Sequence, residues 1–186
     1  EDIPYQSKES AKKELKLKGK VFLIMGSFIP SHGADIIIKQ ASKIKGTVLI
    51  PVNPKPLNDR NPSRINTYLK DMQDYVEKNN LKNVRFDISD LTDSKKIWWT
   101  YFYASDLVLL AYKGGIGSGI FAHAIAASRQ MVGSKIKYFT ESAEKYGCIE
   151  ISEDDRSFPR TINKSAKPAT LKKLGKDCKE YKKEFG

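Results

Sequence analysis

"DLVLLAYKGGIGSGIFAHAIAAS", residues 106–128, decides how the rest of the chain is read. It opens on an apolar run from Leu107 to Tyr112. Four glycines follow within six positions, Gly114, Gly115, Gly117 and Gly119. It closes on small and apolar residues at helical spacing, with His123 among them. An unbroken apolar run suits a strand buried on both faces, as in a parallel sheet. Glycines let backbone approach a phosphate, and a helix start presents unpaired N–H groups with partial positive charge. Strand, glycine loop and helix together suggest an anion-facing turn built on Gly117, Ser118 and Gly119. The alternative is a tight turn that lets strand and helix pack closely. Lys113 is a candidate cation, or else an ordinary surface lysine.

The loop departs from two better-known phosphate loops. Ile120 stands where a dinucleotide fingerprint needs its third glycine, and the loop follows the fourth apolar run rather than the first. It also lacks the Lys–Ser/Thr pair of a nucleotide-hydrolase loop.

Working outward, the same alternation recurs. "KVFLIMG" (20–26), "GTVLIPV" (46–52) and "NVRFDI" (83–88) read as strands, with "QMVG" (130–133) and "GCIEI" (147–151) as weaker candidates. Between them lie helical patterns. Residues 7–17 form a short helix capped by Ser7, burying Ala11, Leu15 and Leu17. "ADIIIKQASKI" (34–44) reads as one helix. "NPSRINTYLKDMQDYVEKN" (61–79) has Asn61 as cap, Pro62 at the first helical position, and Ile65, Leu69, Met72 and Val76 on one face. "SKKIWWTYFYA" (94–104) is a short aromatic-rich helix. The order predicts an α/β domain with a doubly wound parallel sheet of about six strands. Ligands in such sheets bind at the carboxyl ends of the strands, where strand order reverses. That rule nominates the loops after Gly26, Val52, Phe86 and Leu110; in the first, "GSFIPSHGAD", Ser27 and His32 are the polar groups.

The 186 residues bound one domain plus a tail. We expect a domain over residues 1–165 and a basic amphipathic tail helix over 166–186, with Leu171, Leu174, Cys178, Tyr181 and Phe185 as its apolar stripe. The net charge of +11 is concentrated at the two ends. It favours anionic partners, or is simply a solvated lysine-rich surface. No recognition motif supports nucleic acid as the partner. No apolar run is long enough to span a membrane, and no secretory segment opens the sequence, which points to a cytoplasmic protein. Cys148 and Cys178 share no metal or redox spacing and read as free thiols, a single disulfide being the alternative.

Four segments, in order and spacing, carry a resemblance: "GKVFLIMGSFIPSHGADIIIKQASKIKG" (19–46), "NVRFDIS" (83–89), "YASDLVLLAY" (103–112) and "SGIFAHAIAAS" (118–128). Together they resemble the carboxy-terminal, donor-binding domain of retaining glycosyltransferases with two Rossmann-like domains, the GT-B fold. The likeness covers roughly residues 1–150. It implies a nucleoside-diphosphate sugar as substrate, a hexose moved to a glycan or lipid-linked acceptor, and no cofactor or metal. It also implies an amino-terminal acceptor domain beyond this sequence and, through the basic tail, contact with an acidic membrane surface. The sequence departs from the family pattern at four positions. Ser27 and His32 stand where a phosphate-binding arginine and lysine are usual. Gly115 and His123 stand where two glutamates are usual, the second holding the donor ribose. The resemblance puts the base near Ile88 and Ser89. The substrate-binding set is therefore Ser27, His32, Ile88, Lys113, Gly117, Ser118, Gly119 and His123. The departures also motivate a non-catalytic nucleotide-sugar-binding or regulatory domain of the same fold.

Overall fold

A computed structural model describes residues 5–53, 62–88, 95–115 and 117–173, without the side chains of residues 62–65 and 95. Six strands form one sheet: β1 (Val21–Leu23), β2 (Thr47–Val52), β3 (Val84–Ile88), β4 (Leu107–Leu110), β5 (Met131–Ser134) and β6 (Ile149–Ser152). All neighbours pair in parallel, in the order β3-β2-β1-β4-β5-β6. Each apolar run expected as a strand forms one, including the two weaker candidates. The order reverses between β1 and β4, which pair through Phe22 with Leu107 and Leu23 with Val108. The crevice of a doubly wound sheet opens there, at the carboxyl ends.

Helices cover both faces. On one lie α1 (Lys8–Glu14), α4 (Lys95–Ala104), α5 (Gly119–Ala126) and α6 (Lys137–Tyr146), packed around Phe102, Phe121 and Phe139. On the other lie α2 (Ala34–Ile38), α3 (Pro62–Lys78) and α7 (Phe158–Ser165), packed around Phe22, Ile37, Ile38 and Phe158. Full burial of one such side chain contributes about 1.5–3 kcal/mol. The two layers, rather than any single contact, fix where the strand ends point.

Local sequence explains most element ends. Ser7 caps α1 by accepting the Ser10 N–H at 3.2 Å, and Ala11, Leu15 and Leu17 are buried as expected. In α3, Leu69 and Met72 are buried and Val76 is half-buried; Asn61 and the Ile65 side chain lie outside the described residues. The single helix expected over 34–44 is a correction. α2 stops at Ile38, and a 3-10 turn over Ala41–Lys43 follows. Gln40 leaves helical backbone, φ -117°: its N–H bonds the Ile37 carbonyl three residues back, and its side-chain Nε2 takes the Ile36 carbonyl at 2.9 Å. Asn83 Nδ2 donates to Ala41, Ile44 and Gly46, at 2.8, 3.2 and 3.2 Å, tying this turn to the entry of β3.

Beyond Ser157, α7 is part of the core: Phe158 and Ile162 are fully buried. Residues 168–173 are helical, and half-buried Leu171 packs on the α2–α3–α7 layer. The rest of the expected tail stripe, Leu174, Cys178, Tyr181 and Phe185, lies outside the described residues. Cys148 is fully buried, and Cys178 lies outside the described residues. Among the described residues, no helix is long and apolar enough to cross a membrane.

The amino end of the sheet is closed by a charge cluster. Asp106, 7% exposed, precedes β4 and accepts from Lys12 Nζ at 2.8 Å, Lys8 Nζ at 2.9 Å and the Val21 N–H at 2.9 Å. Burial alone would push its carboxyl up. The two ammonium groups, Lys12 first, and the β1 amide outweigh that and hold it below the ordinary carboxylate range. Asp106 therefore fastens α1 to the starts of β1 and β4.

Candidate functional site

The carboxyl ends of β1 and β4 are joined directly. Gly33 lies in left-handed backbone, φ 67°, and a Cβ there would sit 1.9 Å from the Ala111 carbonyl oxygen. Only glycine permits that approach. The Lys113 N–H then donates to the Ser31 carbonyl at 2.9 Å. Gly26, φ 103°, lies against the first turn of α5, since a Cβ there would meet Ile120 at 3.0 Å. The loop after β1 thus forms one wall of the crevice, and the β4–α5 connection forms the other.

The glycine segment behaves differently from Gly26 and Gly33. A Cβ on Gly114, Gly117 or Gly119 meets nothing within 4 Å, and none of the three has a positive φ. Close packing of strand on helix accounts for none of them. Gly115, φ 141°, is required by its backbone conformation. Gly117 and Gly119 are exposed at the mouth of the crevice. Ser118 is the cap of α5: its Oγ accepts the Phe121 N–H at 3.2 Å and lies 3.1 Å from the Tyr112 hydroxyl. The first intrahelical bond is Ala122 N–H to the Ser118 carbonyl. The amides of Gly119 and Ile120 are the two first-turn donors without an intrahelical acceptor.

His32 ends the 3-10 turn over Pro30–His32 and stacks on Tyr112, with ring centroids 4.5 Å apart and planes 9° from parallel. Its Nδ1 lies 2.8 Å from the Ser27 carbonyl. A carbonyl only accepts, so Nδ1 carries the proton and Nε2 is the open ring nitrogen. Burial lowers the imidazole's pKa, and the Ser27 hydrogen bond only partly opposes this. His32 is therefore neutral at pH 7 and does not replace a cation. Ser27 is exposed, and its carbonyl holds this ring.

Lys113 is ion-paired. Its Nζ lies 3.2 and 3.3 Å from the two carboxylate oxygens of Asp35, in the first turn of α2. Tyr68 on α3 donates its hydroxyl proton to Asp35 Oδ1 at 2.9 Å and accepts the Asp35 N–H at 3.0 Å. Burial, ahead of the nearby carboxylate, pushes the Tyr68 phenol well above its ordinary range, so it stays a donor. Lys39 Nζ is a looser neighbour of Asp35 at 3.8 Å.

His123 sits one turn into α5. Its Nδ1 donates to the Gly119 carbonyl at 2.6 Å, tying the ring to the helix start. The ring packs against α4, near Trp99 at 5.3 Å, Trp98 at 5.5 Å and Phe102 at 5.9 Å between centroids. It is half-buried, with Nε2 as its second polar atom. Ile88, 47% exposed, ends β3 and stands three strands from β4. At about 4.8 Å per strand the separation is roughly 14 Å, so Ile88 lies along the same rim but away from the glycine segment. Ser89 lies outside the described residues.

Ser27, His32, Lys113, Gly117, Ser118 and Gly119 thus lie on the two loops that flank the strand-order reversal, His123 stands one turn into α5 with its ring on α4, and Ile88 lies farther along the rim. Asp35, Tyr68 and Tyr112 were missed in the sequence. The helical pattern of 61–79 marks Tyr68 only as a residue beside its apolar face. Nothing local reveals that it reaches Asp35, 33 residues away.

No family model matches the sequence, and no curated protein matches it either. Solved structures share the fold at low identity. HepE from Anabaena in complex with UDP superposes with a TM-score of 0.76 and 13% identity, over 94% of this chain and 47% of that one. Sucrose-phosphate synthase from Thermosynechococcus elongatus gives 0.75 and 17%, over 96% and 46%. The carboxy-terminal domain of LpcC, a group 1 glycosyl transferase family protein from Francisella tularensis, gives 0.75 and 14%, over 98% and 94%. The chain spans about half the length of the first two. It has the open, parallel, Rossmann-like fold of GT-B glycosyltransferases.

Proposed function

We propose that this chain is the nucleotide-sugar-binding half of a glycosyltransferase, with a nucleoside diphosphate seated across the carboxyl ends of β1 and β4. The observation that carries the reading is the open face at Gly114, Gly117 and Gly119, whose lack of side chains serves neither packing nor a positive φ. It lies at the strand-order reversal of a fold that HepE shares, and HepE was solved with UDP and with UDP-glucose.

In this reading a hexose leaves the nucleoside diphosphate with its anomeric configuration retained. It passes to a glycan or lipid-linked acceptor held by an amino-terminal domain. The chemistry asked of this chain is stabilisation of the departing diphosphate, by the amides of Gly119 and Ile120 and by Lys113. His123 lies beside the ribose as a hydrogen-bonding group, and the base extends along the rim toward Ile88.

Calorimetric titration of UDP-sugars tests the reading, and absence of binding overturns it. Gly119→Val should abolish binding without a change in melting temperature, because the added side chain enters open space. His123→Ala should weaken UDP binding by about 1–2 kcal/mol and leave a 2′,3′-dideoxy analogue unaffected. Equal weakening of both would make His123 a packing residue.

A non-catalytic nucleotide-sugar-binding domain is the second reading. It is favoured by the state of His32, neutral and bonded to its own loop where the family resemblance puts a cation. Hexose release from UDP-sugar, measured in the presence of the acceptor-binding half, separates the two.

A further inference from the structure

We propose that Lys113 is the diphosphate-binding cation of the crevice and that Asp35, fixed by Tyr68, is a positioning residue that holds Lys113 ready and moderates its affinity for anions. The proposal rests on the nucleotide-sugar reading above and adds to it the control of the charge.

Within the two loops that flank the strand-order reversal, residues 26–33 and 111–119, Lys113 is the only lysine or arginine. Its backbone is anchored where the two loops meet, through the Lys113 N–H on the Ser31 carbonyl. Its side chain is 45% exposed, whereas its partner Asp35 is 16% exposed. The two ends of the pair are therefore unequal. Asp35 is clasped by the Tyr68 hydroxyl on both its carboxylate and its backbone N–H, so it is fixed. Lys113 has a flexible stem and a solvent-facing head, so it is free to turn. Because the Lys113 ammonium faces solvent, the ion pair itself contributes little to folding.

An arriving diphosphate must share Lys113 with Asp35 or draw it away. Either way the carboxylate stays behind, since Tyr68 holds it, and its negative charge opposes the ligand at a few ångströms. The empty site thus keeps this ammonium neutralised in place. The filled site exchanges a carboxylate for a phosphate at the same ammonium.

The test titrates UDP and uridine at low and high salt into the wild type, Lys113→Met, Lys113→Arg and Asp35→Asn. Lys113→Met should weaken UDP at least tenfold and leave uridine unchanged. Lys113→Arg should keep UDP within about threefold of wild type, because a cation is retained. Asp35→Asn should tighten UDP by about fivefold, with a steeper salt dependence, as expected when a like charge is removed. A gain in affinity is a result that mere loosening of α2 does not produce. Wild-type affinity for UDP in Lys113→Met, or weaker UDP binding in Asp35→Asn, overturns the proposal while leaving the nucleotide site standing. Failure of the wild type to bind UDP overturns both.

Discussion

Asp106 and Asp35 each hold lysines at an end of β1, yet they are built for opposite purposes. Asp106 at the amino end is nearly buried and takes two ammonium groups and an amide, all within 2.9 Å. Asp35 at the carboxyl end takes one half-exposed ammonium at 3.2 Å, a looser one at 3.8 Å and a phenol. Removing one partner from a buried ionic cluster leaves an uncompensated charge, whereas an exposed pair exchanges freely with water. The same two residue types therefore close one end of the sheet and leave the other end able to trade partners.

Three substitutions sharpen or break this contrast. The largest effect is expected at Gly33, the one point where the open end is rigid. Gly33→Ala puts a methyl 1.9 Å from the Ala111 carbonyl in left-handed backbone. It should cost at least about 4 kcal/mol, seen as loss of the folded species or a steep drop in melting temperature. If the protein tolerates it, the β1 and β4 loops are not fastened together.

Asp106→Asn comes next. It should destabilise by about 3 kcal/mol, roughly a 9 °C fall in melting temperature for a chain of this size. The same residue sets an acid limb. Its folded pKa lies below its unfolded value of 3.8, so the unfolded chain binds more protons in that window. Stability from Asp106 is then complete above the unfolded pKa and is lost as pH falls through the folded one. Denaturant titrations across the acid range should show this slope in the wild type and a shallower one in Asp106→Asn. An unchanged slope would mean the cluster contributes nothing.

Asp35→Asn should change stability least, by about 0.5 kcal/mol or less, checked by the same melts. A loss as large as that of Asp106→Asn would erase the contrast, and Asp35 would then be a structural clamp.

The contrast also shows what a sequence can disclose. β4, the glycine loop and α5 were legible because their signals are contiguous: an apolar run, clustered glycines, and small and apolar residues at helical spacing. The doubly wound parallel sheet followed from the alternation of elements, but not which two strands flank its reversal. The sequence did not disclose which polar groups meet. Lys113 finds Asp35 across 78 residues, and Lys8 finds Asp106 across 98. Such pairs depend on how the sheet stacks its loops, and neither residue carries a local mark of its partner. The break after α2 is local: Gln40 turns its own side chain onto the Ile36 carbonyl, and glutamine is an ordinary helix former that carries no stop signal. His32 was legible as a site residue but not as a neutral one. Its charge state depends on burial against Tyr112, a residue 80 positions later in the chain.

The Lys113 amide also has a consequence in time. It belongs to an exposed residue in a glycine-rich connection, where amide protons usually exchange with solvent quickly. Yet it donates to Ser31 at the place where the two loops are fastened. Its exchange must wait for the loops to part, so this single proton times their separation. Protection at Lys113 beside fast exchange at Gly114 would show that the floor of the crevice is already assembled before any ligand arrives, with only the rim left to settle.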